Sequence, residues 1–297
     1  MLKFRLLKDK LYSKLFLAAT LLIFLLVVAV GVGLYYKSLP ILQQNSFWDL
    51  VLSSEWKPFK QSFGLLSYIA GTLGVVLVAI VLALPFSLLT SIYLSEYANK
   101  TVKRIIIPIV EVLSGIPPVI YGVWGVLVVV PFVQEKLSVH FVEFSSGYSL
   151  LAGGIVLAVM TFPLIISILL EVFSVVPQEL RDASLSIGAT HWQTIKFVLL
   201  KKARPGIMAA TALGISRALG ETIAVLMVCG NVPAIPASLF DPCYPLPALI
   251  ANNYGEMLSQ PLYESALMLS AFILFAIIFL FNAASRLVLI RLEKRMN

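Results

Sequence analysis

The sequence predicts an all-α fold: a polytopic membrane protein with six transmembrane helices. Three observations carry that prediction. Hydrophobic residues fill 60% of 297 positions and charged residues only 12%, with a mean hydropathy of +0.96. A water-exposed surface of this size needs far more charge. Six apolar runs also reach the roughly 20 residues that a bilayer crossing demands. They are 15–36, 66–94, 105–133, 149–172, 204–229 and 262–288. Finally, the basic residues gather on alternate connections between those runs.

The N-terminal segment holds Lys3, Arg5, Lys8, Lys10 and Lys14, and the connection after the second run holds Lys100, Lys103 and Arg104. Arg181, Lys196, Lys201, Lys202 and Arg204 follow the fourth run, and Arg286, Arg291, Lys294 and Arg295 close the chain. The other connections carry only Lys37, Lys57, Lys60 and Lys136. Lys and Arg favour the cytoplasmic side. Both termini and the loops at 95–104 and 173–203 are therefore expected in the cytoplasm, and an even number of spans agrees. The chain divides into a basic N-terminus (1–14), an anchor helix (15–36), an external loop (37–65), a helical membrane domain (66–290, with the cytoplasmic loop 173–203) and a tail (291–297). The formal charge of +7 sits beside apolar runs, which points to a lipid bilayer and against nucleic acid as a partner.

In residues 1–14, Leu2, Phe4, Leu6, Leu7 and Leu11 are interspersed with the basic residues. This fits a helix on the inner membrane surface or a frayed cationic tail. The first run is too long for a secretory signal and no small-x-small site follows it, so it reads as a retained anchor. Trp48 and Trp56 are expected as interfacial aromatics. Gly71, Gly74 and Pro85 predict a bend in the second run. Gly115-Ile116-Pro117-Pro118 interrupts the third. Proline removes a backbone donor, and inside a bilayer the freed groups need protein or water partners. The interruption reads either as a broken helix beside a path or as a kinked packing helix. Gly122 and Gly125 add positions for close approach, and Gly153, Gly154, Thr161 and Pro163 make the fourth run another bent, small-residue helix. Cys229 and Cys243 are expected at or beyond the outer face, as free thiols or as a disulfide.

Neither a metal-ligand spacing of Cys and His nor a G-x4-G-K-[ST] phosphate loop occurs, so no metal or nucleotide is expected on this chain. His140 and His191 both fall in loops, and no nucleophile–base pattern lies at membrane depth.

The cytoplasmic loop at 173–203 has its own local grammar. Pro177 suits the first turn of a helix. Leu180, Ala183 and Ile187 then form one stripe, spaced three and four apart. Gly188 suits the left-handed residue that ends a helix. Thr190 and Gln193 have capping-box spacing and start a second helix. The apolar stripe either docks a partner or covers the ends of the chain's own spans.

The fifth run carries Arg217 near its middle, roughly 20 Å from its cytoplasmic start at 1.5 Å per residue. Glu221, four residues on, is expected on the same face. Gly206, Ala210, Leu213, Gly214, Gly220, Ala224 and Val228 share that face, while Met208, Ile215, Leu219 and Leu226 lie opposite. A charge at the bilayer centre costs from about 2.5 kcal/mol to well above 10 and by default marks a substrate route. The alternative is a self-neutralising Arg–Glu pair that fixes helix packing. A guanidinium fork matches two oxygens of a tetrahedral oxyanion. An arginine tied to a glutamate would hold such an anion weakly and let it leave.

Five stretches resemble one family. Asp182-Ala183-Ser184 followed by Gly188 is similar to the EAA-x3-G signature of ABC importer permeases, whose loop inserts into a cleft on the ATPase. Val198-Leu199-Leu200-Lys201 stands where that pattern continues Ile-x-Leu-Pro, so its final proline is missing. Residues 217–231, RALGETIAVLMVCGN, closely resemble the RALGET-AVLMV-GN stretch of PstC-type permeases of phosphate ABC importers, in the MetI-like, binding-protein-dependent superfamily. GIPPVIYGVWG at 115–125 resembles that family's GIPSVVYGLWG, with Pro118 in place of Ser. YLSEYA at 93–98 and the external loop from Asn231 to Pro242 match as well. The likeness runs from about residue 66 to the C-terminus.

This resemblance implies a type I ABC importer permease fold over 66–290 and a multi-pass place in the bacterial inner or plasma membrane. It implies a transporter subunit rather than an enzyme, passing inorganic phosphate released by an external binding protein. The implied partners are a PstA-type permease in a heterodimer, two ATPase subunits that bind ATP and Mg, and the external phosphate-binding protein. It assigns the substrate pathway to Arg217 and Glu221 and ATPase coupling to Asp182, Ala183, Ser184 and Gly188. Two other functions stay open on the residues alone. Sulfate, molybdate or a phosphonate suits the same arginine. An ion-coupled carrier would use Glu221 as its proton site, but such folds often show two related halves, and no matching pair of broken spans is evident here.

Overall fold

A computed structural model describes residues 2–256 and 261–296. Residues 257–260, between the fifth and sixth apolar runs, lie outside the described residues, as do Met1 and Asn297.

The chain is helical apart from one small hairpin. Helix α1 (Leu2–Gln44) runs unbroken for 43 residues. At 1.5 Å per residue this is about 65 Å, twice the hydrocarbon thickness. The anchor therefore absorbs both the expected N-terminal tail and the first part of the expected external loop. No glycine or proline interrupts 15–30, and Pro40 is accommodated inside the helix. A short α2 (Phe47–Leu52) and an antiparallel hairpin, β1 (Trp56–Lys57) and β2 (Ser62–Phe63), precede the membrane domain.

Helix α3 (Leu66–Ile92) ends in a π-helical turn, Tyr93–Tyr97. Helix α4 (Lys100–Gly115) follows, and α5 (Pro118–Trp124) continues through further π-helical and α-helical turns to Leu137. Then come α6 (Leu150–Ser174), α7 (Gln178–Ser186) and α8 (His191–Thr194). A π-helical turn, Ile195–Leu199, joins α8 to α9 (Leu200–Leu219). The last helices are α10 (Ile223–Val228), α11 (Leu246–Asn253) and α12 (Pro261–Met296).

Among the described residues, five helices are long and apolar enough to cross a bilayer: Lys10–Gln44, Leu66–Tyr97, Pro118–His140, Leu150–Ser174 and Leu262–Arg291. The sixth expected span, 204–229, is not one rod. It breaks between Leu219 and Ile223 into α9 and α10.

Helix α6 is the central post, packing against α3, α4, α5, α9 and α10. Its composition allows this, because small residues let neighbouring backbones come close. A methyl group on Gly154 would lie 2.3 Å from Val78 of α3, and one on Gly206 of α9 would lie 2.3 Å from Val172 of α6. The core runs from Val75, Ala79 and Ala83 through Val156, Leu157, Ile165, Leu169 and Phe173 to Ala210, Ala218 and Val225.

A second core caps the end of the molecule that is expected to be external. Trp56 makes edge contacts with Phe63, Tyr68 and Tyr263 at ring separations of 5.3–6.1 Å. Trp56 is thus a core residue of this cap, whereas Trp48 is exposed. Helix α1 joins the cap where Ile41 N–H donates to Ser265 Oγ at 3.1 Å and Lys37 pairs with Glu264 at 3.1 Å. From Lys10 to Val30 every residue of α1 is exposed, as suits a helix sheathed in lipid.

Candidate functional site

Two helix breaks meet inside the membrane domain. The first is Ile116-Pro117, both extended, between α4 and α5. Helix α4 lies against the inner half of α6, with Val102, Ile106 and Val110 set on Phe162, Ile166 and Leu170. Helix α5 carries the chain on toward the outer side. Tyr121 spans the gap: its hydroxyl donates to the carbonyl of Leu113 at 2.8 Å, satisfying one of the groups that the prolines release. The interruption in the third run is a broken helix.

The second break is Gly220-Glu221-Thr222. Tight turns end α9, with Gly220 N–H on the Arg217 carbonyl at 3.2 Å and Glu221 N–H on the Ala218 carbonyl at 3.3 Å. The segments that follow the two breaks pack against each other. Gly122 of α5 faces Ala224 and Met227 of α10, and Gly125 faces Val228 of α10 and Val156 of α6. A methyl group on Gly122 would come within 2.6 Å of the Met227 sulfur. Glycine here permits the two segments beyond the breaks to touch.

This geometry corrects the expected Arg217–Glu221 pair. On one continuous helix the two residues would share a face, but the turn at Gly220 rotates them apart. The Glu221 Oε1 atom accepts from the backbone N–H groups of Thr222 at 3.2 Å and Ala224 at 3.4 Å. The carboxylate therefore serves as the acceptor for the start of α10, where helix amides lack partners and negative charge is favoured. Behind it lies a void of about 10 Å³ lined by Thr72, Leu157, Val225 and Pro245, room for at most one water. Arg217 forms no ion pair: those among the described residues are Lys37–Glu264, Lys57–Glu55 and Arg181–Glu96. Its side chain is exposed on the flank of the isolated chain, within coulombic reach of Tyr121.

The loop at 173–203, expected on the cytoplasmic side, folds as its residues prescribe. Gly188 adopts φ +84°, its N–H meets the carbonyl of Leu185 at 3.0 Å, and Ala189 N–H meets that of Ser184 at 3.3 Å. These are the two bonds of a glycine-terminated helix end. Thr190 and Gln193 form the reciprocal capping box. Asp182 accepts from Gln178 at 3.1 Å, and Ser184 bonds Thr194 at 2.9 Å. Leu180, Ala183 and Ile187 all face away from the chain's own spans, with Ile187 86% exposed. The stripe does not cover the span ends.

Sequence reasoning missed the pair beneath this helix. Arg181 bonds Glu96 at 3.0 Å, and both side chains are nearly closed off, at 11% and 7% exposure. They line a cleft of about 720 Å³ with Lys103, Phe173, His191 and Thr194. The two residues are 85 positions apart, so no spacing rule links them. The available signal was a lone carboxylate, Glu96, at the membrane edge beside a basic loop.

Beyond α10, Asn231 takes a left-handed conformation at φ 52° and donates through Nδ2 to the Leu226 carbonyl at 2.8 Å. It lines a cleft of about 340 Å³ with Tyr148, Met227 and Pro242. Cys229 and Cys243 are buried, free thiols, held side by side as Cys243 N–H donates to the Cys229 carbonyl at 2.9 Å.

Comparison with known proteins agrees with this architecture. The family model described as "Binding-protein-dependent transport system inner membrane component" matches residues 83–297. The Mesorhizobium japonicum protein named "Phosphate transport system permease protein PstC" is 35% identical, over 97% of this chain and 92% of its own length. A Pasteurella multocida protein of the same name is 34% identical over 92% of this chain and 89% of its own. The Bacillus subtilis "Probable ABC transporter permease protein YqgH" is 37% identical over 78% of this chain and 74% of its own. A chain of the MetNI methionine ABC transporter, solved in inward-facing conformations, superposes with a TM-score of 0.61 at 20% identity, covering 80% of this chain and 99% of that one. It shares the fold. With two adjacent broken spans, an exposed short helix after the fourth apolar run and relatives of this kind along nearly its whole length, the chain belongs to the binding-protein-dependent transport system inner membrane component family.

Proposed function

We propose that this chain is the permease subunit of an ATP-driven importer of inorganic phosphate. Its relatives that carry the phosphate permease name span nearly its full length, which favours phosphate over sulfate, molybdate or a phosphonate. The observation that carries the mechanism is the meeting of two helix breaks beside a guanidinium with no acidic partner. Broken helices at membrane depth are tolerated where they line a cavity or are covered by protein, and transporters often bind substrate at such breaks. Glu221 neutralises the backbone amides at the start of α10 and leaves Arg217 free. The planar fork of Arg217 then meets two oxygens of the passing anion. Release comes from motion of the surrounding helices rather than from a competing carboxylate.

In this reading the exposed flank of Arg217 is covered by a second permease of the PstA type, and an external binding protein delivers phosphate to the outer face. The exposed side of α7, with Asp182, Ala183, Ser184 and Gly188, docks on one of two ATPase subunits. Those subunits bind ATP and Mg. Both termini lie in the cytoplasm of a bacterial cell.

Replacing Arg217 by Gln is the direct test. Losing a charge-assisted hydrogen bond costs about 2–3 kcal/mol, a fall of roughly 100-fold in rate. Uptake of radiolabelled phosphate should drop accordingly while the complex still copurifies. Normal uptake would end the pathway assignment. Uptake by the unaltered complex that sulfate or molybdate suppresses better than phosphate does would change the substrate instead.

A further inference from the structure

Helix α7 touches the rest of the molecule in an unusual way. Arg181 is the only one of its nine residues that is buried. The guanidinium reaches three separate elements. Nη2 pairs with Glu96 in the π-helical turn ending α3, at 3.0 Å, and also donates to the carbonyl of Phe173 in the last turn of α6, at 3.0 Å. Nη1 donates to the carbonyl of Val176, just beyond α6, at 2.6 Å. Carbonyls at a helix C-terminus lack partners and attract cations. The five-donor fork of arginine can serve several acceptors in a fixed geometry, which lysine cannot reproduce. A second tie comes from the next helix: His191 Nε2 lies 3.3 Å from the Glu96 carbonyl, and its ring meets Tyr97 edge-on at 4.9 Å.

We infer that Arg181 is a positioning residue that couples α7 mechanically to the cytoplasmic ends of α3 and α6 through Glu96. A push on the exposed face of α7 has few other routes into the membrane. The Ser184 hydroxyl bonds Thr194 of α8, and Leu180, Asp182, Ala183 and Leu185 are exposed. The helices that receive the push are those on which α9 packs, the helix carrying Arg217 at its far end. Buried ion pairs add little net stability compared with apolar replacements. Removing one partner alone leaves the other charge buried and uncompensated. Glutamine keeps a hydrogen-bonding amide at either position, and the double variant, which removes both charges, separates loss of coupling from loss of fold. The inference rests on the reading of α7 as the ATPase-docking surface.

The test uses the whole complex in proteoliposomes: both permeases, the ATPases and the binding protein. It measures labelled phosphate moved per ATP hydrolysed, together with ATPase copurification. R181Q and E96Q should each keep the complex assembled and hydrolysing ATP while transport per ATP falls at least about tenfold. The double variant should be no worse than the more severe single one, because one link is broken in each case. R181K, which keeps the charge but loses the fork, should recover part of the ratio. An unchanged ratio in R181Q would overturn the inference. So would loss of the ATPases from R181Q, which would make the residue a plain docking support, and so would multiplicative effects in the double variant. The docking reading itself is checked separately with I187R, which should release the ATPases. If the unaltered complex moves a different oxyanion, the substrate assignment fails, and the same ratio is measured on that anion.

Discussion

Glu221 takes its role from a two-bond contact with the backbone. Its Oε1 atom holds the first amides of α10, and this fixes where the chain resumes its helix after Gly220. Glutamine offers the same oxygen without the charge, whereas alanine offers nothing. Losing such a capping acceptor costs about 0.5–2 kcal/mol. E221A should therefore lower the thermal midpoint of the purified complex, and E221Q should do so less. Equal loss in both would show that the charge, not the acceptor, matters there. At this scale the sequence was legible where the determinants were local. Gly188, Thr190 and Gln193 act within one or two turns, so the spacing alone identified a helix end and a capping box. Arg181 and Glu96 were opaque because the pair exists only after α3 and α7 have been brought together. The Arg217–Glu221 relation was misread for a different reason: i, i+4 spacing implies a shared face only if the helix persists, and a Gly-Glu-Thr turn ends it.

The helices themselves divide into rods and broken rods. Helices α3 and α6 carry Pro85 and Pro163 inside continuous helix. The paired prolines at 117 and 118 do break the chain, because the residue before a proline is driven away from helical geometry. Composition revealed that break but missed the other, where no proline marks the turn. Helix α7 makes the sharpest prediction at this scale. Gly188 has open space around it, with no atom within 4 Å of a built methyl group, but sits at φ +84°. Only the backbone objects to a side chain, by about 1–2 kcal/mol for a residue that resists left-handed geometry. G188V should splay the end of α7 and weaken ATPase copurification, while G188N, which tolerates that conformation, should keep most of it. Equal retention by both variants would argue against docking at this helix end.

Taken whole, the molecule is a helical post, α6, wrapped by α3, α4, α5, α9 and α10, with α1 and α12 as an outer pair. Apolar run length and the placement of basic residues were sufficient to foresee this sheathed, mostly lipid-facing body. The cap of Trp56, Phe63, Tyr68 and Tyr263 was not foreseen, since aromatics near a membrane boundary read equally well as interfacial anchors. The orientation drawn from the basic loops is directly measurable. A cysteine introduced at Lys60 in a Cys229→Ser, Cys243→Ser background should react with a membrane-impermeant maleimide in intact cells, and one at Ser186 should react only after permeabilisation. The reverse pattern would invert the assignment of the two sides.

The bare guanidinium of Arg217 also has a consequence for the life of the chain before assembly. If, as proposed, a companion permease covers that flank, the newly made protein must until then present a cation to acyl chains or drag water inward to shield it, at a cost of a few kcal/mol or more. Synthesised without its mate, the chain should be short-lived, cleared by membrane proteolysis, and R217L should outlast the natural form in the same orphaned state. The charge proposed to guide the cargo would then also report whether the assembly is complete.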